Sequence, residues 1–163
     1  MFEADGEQLA LLGRVALAML LGGVIGFERE IAGKPAGIRT HMLVAGMATV
    51  LVGLGQALIG LYDLDAPASA LRADPIRIVE AIITGISFLG AGSIIRREGS
   101  EIEGLTTAAS ILFTATVGIA MAVGQIVLAV GLVILGFVVL RPVDRLERWI
   151  ERRRANRRRS HAS

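Results

Sequence analysis

Residues 80–110 read EAIITGISFLGAGSIIRREGSEIEGLTTAAS, and the run TGISFLGAGSII at 84–95 decides how the chain is organised. It is apolar enough for a bilayer, yet it carries a glycine or other small residue at nearly every turn. Glycine inside a helix costs about 1 kcal/mol against alanine, so its repeated use points to backbones that approach closely. On a wheel of about 100° per residue, Glu80, Thr84, Ser87 and Ala91 form one stripe and Ala81, Gly85 and Gly92 a second. Ile82, Ile86 and Leu89 lie on the far side, with bulk suited to lipid or to a packed core. Ionisable groups in membrane segments rarely face lipid. The Glu80 stripe is therefore expected to point into a helix bundle, and the Gly85 and Gly92 stripe to meet another helix.

Working outward, the 163 residues are 53% hydrophobic and 20% charged, so the charges must lie between apolar blocks. A bilayer span takes roughly 20 apolar residues, and the windows 9–27, 41–62, 77–95, 104–123 and 125–140 are read as spans, the last being the shortest. The final two meet at Gly124 and Gln125, where a tight turn is expected; one long bent helix there would leave four spans. The expected fold is an all-α integral membrane bundle of five transmembrane helices over residues 1–140. The N-terminus, MFEADGEQ, is acidic and unlike a cleaved signal. Basic residues crowd the loop with Arg29, Lys34 and Arg39, the loop with Arg96 and Arg97, and the tail, while the opposite side has Arg72 and Arg77. Short loops rich in Arg and Lys stay cytoplasmic, which places the N-terminus outside and the C-terminus inside, and favours five spans over four.

Without cysteine there is no disulfide or thiolate chemistry. The histidines are His41 and His161, too few for a catalytic zinc. GKP at 33–35 lacks the flanking residues of a phosphate loop. Asp63, Asp65 and Asp74 are acids of an outer loop that could attract a hard cation, although solvated surface acids are commoner; whether a metal binds is left open. No nucleophile with a placed base is legible, so neither an enzyme nor a cofactor is expected.

Helix four carries a stripe of its own, Thr107, Ser110, Thr114 and Gly118. If it meets the stripe of Glu80, Thr84 and Ser87, the two line either a hydrogen-bonded interface or a narrow polar path. Gly22 and Gly26, four apart, suit close packing of helix one. Glu28, Arg29, Glu30, Arg39, Arg96 and Arg97 gather at the inner helix ends, where pairing is expected to lock them. Arg14 and Glu80 lie at similar depth in helices one and three and are expected to pair within the membrane. The tail, 141–163, sets Val143, Leu146, Trp149 and Ile150 on one side and arginines on the rest. It reads as a basic amphipathic segment lying on anionic headgroups, and nucleic acid is not an expected partner.

Three runs, LLGGVIGFEREIAGKPAGIRTHMLV, ITGISFLGAGSIIRREG and GLTTAAS, taken in order, resemble the MgtC/SapB family of bacterial inner-membrane proteins over residues 14–125. The resemblance implies a five-helix membrane domain linked to magnesium homeostasis and low-magnesium survival. It fits a regulator of a membrane ATPase better than a transporter, and self-association is a further expectation. The family signature falls here on Gly26, Glu28, Arg29, Gly37, Arg39, Thr40, Gly85, Phe88, Gly90, Gly92, Gly104, Thr107 and Ala108. Ser87, Leu112 and Glu80 depart from the family pattern, which usually has Gly, Trp and an uncharged residue there. Longer relatives continue into a soluble ACT-like domain, which is not expected in residues 141–163.

Overall fold

The computed structural model describes residues 2–63, 74–96 and 102–143. Asp65, Arg72, Arg97 and the amphipathic part of the tail lie outside these residues, as do the side chains of Asp63, Arg96 and Val143. Five α-helices follow in order, α1 (Phe2–Ile31), α2 (Ile38–Asp63), α3 (Pro75–Gly92), α4 (Leu105–Ala122) and α5 (Ile126–Val138), the last continuing into a π-helical turn at Val139–Val143. The expected all-α five-helix bundle is the observed fold. A two-residue antiparallel ladder, Ile95–Arg96 on Ile102–Glu103, is an addition that no periodicity announced. The first four helices are long and apolar enough to cross a membrane; α5 is shorter.

Local chemistry sets the helix ends. Asp74 caps α3, its Oδ1 accepting from the Ile76 amide at 2.9 Å, and Pro75 fills the first turn where no amide partner is needed. Asp74 thus has a structural role independent of any cation. Between α4 and α5 the chain turns at Gly124, whose φ of +78° is left-handed. The tight turn, rather than one bent helix, is what forms.

α4 is the centre, packing against α1, α2, α3 and α5. On one side Ile111 and Ala115 meet Val44, Ala48 and Val52 of α2 and Ile82 and Ile86 of α3. On the other, Val117, Ala120 and Met121 meet Ala18 and Ile25 of α1, Ala45 of α2, and Ala129 and Val133 of α5. Small residues make the crossings possible. A Cβ built on Gly22 would stand 2.5 Å from the His41 carbonyl oxygen and 2.9 Å from the Ala45 Cβ, and one built on Gly118 would collide with the Ala45 carbonyl oxygen. A Cβ built on Gly26 would likewise stand 2.6 Å from Ile38 Cα. The backbones of α1, α2 and α4 therefore converge around Ala45.

The inward face of α3 differs from expectation. Ile82 and Ile86 are buried, whereas Glu80, Thr84, Ser87, Gly85 and Gly92 are exposed on the surface of the chain. A Cβ on Gly85 or Gly92 would meet nothing within 4 Å, so neither forms a close helix contact within one chain; Gly90, where a Cβ would stand 3.4 Å from Ala108 Cβ, is the glycine that α3 turns toward α4. The reason is that branched isoleucines fill the hollow between α2 and α4 better than small groups do. Gly118→Ala should consequently cost about 1–3 kcal/mol through overpacking, read as a lower melting temperature in detergent, while Gly85→Ala, with nothing to overpack, should not lower it.

Candidate functional site

The side chains of chemical interest gather at the end of the bundle that holds the α1–α2 loop. α1 brings Glu28 and Arg29 there because both fall on its inward side as it leaves the Gly22 and Gly26 crossing; they are 4% and 2% exposed. α2 begins at Ile38, one residue after Gly37, so that His41, fully buried, lies in its first turn. α4 begins after Gly104, whose φ of +95° and contact with the Ser93 carbonyl oxygen admit no side chain. This start sets buried Thr107, Ser110 and Thr114 one turn apart along the face toward α1 and α2.

The groups are joined by hydrogen bonds. Arg29 Nη2 donates to Thr107 Oγ1 at 3.1 Å, tying α1 to α4. His41 Nδ1 donates to the Gly37 carbonyl at 2.9 Å, and Nε2 lies 3.2 Å from Ser110 Oγ, tying α2 to α4. Ser110 Oγ is also 2.8 Å from the Thr107 carbonyl, and Thr114 Oγ1 donates to the Ser110 carbonyl at 2.9 Å. With Nδ1 holding its proton against a carbonyl, a neutral ring offers Nε2 as an acceptor for the Ser110 hydroxyl. A protonated ring instead donates from Nε2, and the hydroxyl turns to the Thr107 carbonyl. The same heavy-atom positions thus accommodate either proton count. Farther along, Thr49 Oγ1 donates to the carbonyls of Ala45 and Gly118, both at 2.9 Å.

Glu28 adds a buried carboxylate oxygen, Oε2, that accepts no hydrogen bond. Glu30 is exposed and caps α2, accepting from the Ile38 amide at 3.0 Å. Arg39 is exposed, and Thr40, half-buried, borders an open groove of about 590 Å³ with Pro35, Ala36, Gly85, Phe88 and Gly92. Among the signature positions, Glu28, Arg29 and Thr107 lie in the interior and Thr40, Gly85, Phe88 and Gly92 along the groove, while Arg39 is exposed. Among the described residues no group of three or more His, Asp or Glu is placed to hold a metal ion.

Two expected arrangements do not form. The α4 stripe of Thr107, Ser110 and Thr114 meets α1 and α2, not the stripe of Glu80, Thr84 and Ser87, which points outward; Thr84 Oγ1 simply donates back to the Glu80 carbonyl at 2.8 Å. Arg14 does not pair with Glu80, since α1 and α3 are not packed neighbours; its Nη1 donates to the Ala122 carbonyl at 3.0 Å, capping α4. A cation at a helix C-terminus is favoured by the carbonyls left unpaired there. No motif marks His41 or Thr49 as a site residue in the sequence. The available signal is spacing, because His41 and Thr49 share one helical face with Ala45, Ala48 and Val52 of the core.

The MgtC family model matches residues 15–149. This chain belongs to the MgtC family. It is 36% identical over 152 residues to an uncharacterized protein of Haemophilus influenzae, covering 93% of this chain and 63% of that protein. To the Escherichia coli K12 protein named "Putative magnesium transporter YhiD" it is 40% identical over 117 residues, 69% of this chain and 50% of the relative. Protein MgtC of Brucella abortus is 40% identical over 112 residues, 69% of this chain and 42% of the relative. The chain thus spans between two fifths and two thirds of the length of these MgtC relatives. No solved structure matches it. Family membership and four apolar helices of spanning length make it a multi-pass membrane protein.

Thr107→Val should remove the acceptor of Arg29 Nη2 and cost about 1–3 kcal/mol, whereas Thr106→Val, exposed on the same turn, should stay within about 0.5 kcal/mol; thermal unfolding in detergent checks both. Arg14→Ala and Glu80→Ala should be additive within about 0.5 kcal/mol, because each charge has different neighbours. A double-mutant cycle on melting temperature decides that point.

Proposed function

We propose that this chain is a non-enzymatic protein of the bacterial inner membrane, with the N-terminus outside and the C-terminus inside. It is linked to magnesium homeostasis and adaptation to low magnesium, and acts by intramembrane contacts as a regulator of a membrane ATPase or transporter. Magnesium enters through family membership and the name carried by the E. coli relative. The observation that carries the regulatory reading is the divergence of the two polar stripes. Glu80, Thr84 and Ser87 face outward, while Ser110 and Thr114 are buried against α1 and α2, so helices three and four enclose no shared polar path. The Arg-rich segment 141–163 fits this reading as an anchor on anionic headgroups.

The alternative is a transporter or channel for magnesium or another small ion, favoured by the name of the E. coli relative. It would need a route other than the one expected between helices three and four. Growth and flux separate the two. In a strain lacking its own MgtC-family protein, the chain should restore growth in low magnesium, and the purified protein in lipid vesicles should pass neither magnesium nor protons above the rate of empty vesicles. Flux above that background would overturn the regulatory reading in favour of transport.

A further inference from the structure

Among the four long helices, α3 is the one least enclosed by the rest of the chain. Its outward face differs from that of its neighbours in one strip. α1 presents Leu12, Leu20 and Phe27 to the surroundings, and α2 presents Met47, Leu51 and Leu58, large apolar groups suited to lipid. α3 also exposes Ile76, Ile83 and Leu89, but between them runs a strip of Arg77, Glu80, Ala81, Thr84 and Ala91, with Phe88, 84% exposed, projecting from its midst. Small and polar residues on a membrane helix mark contact with protein, because lipid chains gain nothing from them. A charge left facing hydrocarbon is costly.

The composition of this face also says what covers it. An isologous contact requires one patch to be complementary to itself. Arg77 and Glu80 are opposite charges on the same face, about 4.5 Å apart along the axis. Two α3 helices side by side, in the same membrane orientation, would set each arginine within reach of the other's glutamate. The steric features match in the same way. Phe88 is a knob, and beside it lies the open groove of about 590 Å³ bordered by Thr40, Gly85 and Gly92, where a Cβ on either glycine would meet nothing. A two-fold axis along the membrane normal would carry each Phe88 to the other copy's groove.

We infer that the outward face of α3 is the contact surface for a second copy of this chain, with Arg77 of each copy paired to Glu80 of the other and Phe88 of each seated beside Gly85 and Gly92 of the other. This inference stands on the α3 face and does not depend on whether the protein regulates or transports.

The natural sequence has no cysteine, so single cysteines report contacts without background. Thr84→Cys and Ala91→Cys in the full chain, oxidised in native membranes, should give a disulfide-linked dimer at about ten times the yield of Leu51→Cys and Val127→Cys, which face outward from α2 and α5. In a dimerisation assay by energy transfer in vesicles, Glu80→Arg should weaken association about tenfold. The swap Arg77→Glu with Glu80→Arg should restore it, a rescue that a merely folded or misfolded state would not produce. Equal dimer yield at all four cysteine positions, cross-linking of α3 to a different protein instead of to itself, or failure of the charge swap to rescue would overturn the inference.

Discussion

The structure depends on three backbones meeting at one place. Gly22 of α1 and Gly118 of α4 both press on Ala45 of α2, and Thr49 reaches across to the Gly118 carbonyl. In a bilayer the solvent is as apolar as the side chains, so burial alone does not hold helices together; contact area and hydrogen bonds do. A methyl group at either glycine would push the helices apart and forfeit dispersion contacts along their whole length. That junction fixes how deep α4 sits, and the two halves of the core are laid on either side of it.

The polar groups at the loop end follow from that depth. With α4 held close, Thr107 and Ser110 arrive opposite Arg29 and His41 at bonding distance. Hydrogen bonds between membrane helices average only about 0.6 kcal/mol each, far less than the several kcal/mol lost when a polar group in hydrocarbon finds no partner. The network therefore contributes little by existing and a great deal by excluding other registers of α4. Sliding α4 by one residue would carry the Thr107 and Ser110 side chains away from Arg29 and His41.

Much of this was legible in the sequence, for identifiable reasons. Spans and the turn at Gly124 follow from length and hydropathy, and Gly22 and Gly26 were legible as a close approach because small residues four apart leave no other advantage. The orientation of α3 was not legible. An isoleucine stripe is equally suited to lipid and to a core, so only the neighbours' shapes decide which way it turns, and they turned Ile82 and Ile86 inward and Glu80 out. The partner of Arg14 was hidden for a different reason: it is a backbone carbonyl, which side-chain patterns do not register. In sequence His41 reads only as a candidate metal ligand, whereas its surroundings make it a link between helices.

The Arg14 bond has a consequence for how the chain enters the membrane. The arginine emerges in the first helix, and the carbonyl it caps lies 108 residues later, at the end of the fourth. Arg29 in the same helix waits 78 residues for Thr107. During synthesis, α1 must therefore be held with two cations unsupported by these partners while α2 and α3 are made. An insertion intermediate of three helices is tied at the glycine crossing of α1 and α2 but not yet locked. Arrival of α4 supplies both acceptors at once, so the fourth helix acts as the latch of biogenesis, and a chain arrested before it would present the Arg14 guanidinium, lacking its carbonyl cap, to the insertion machinery.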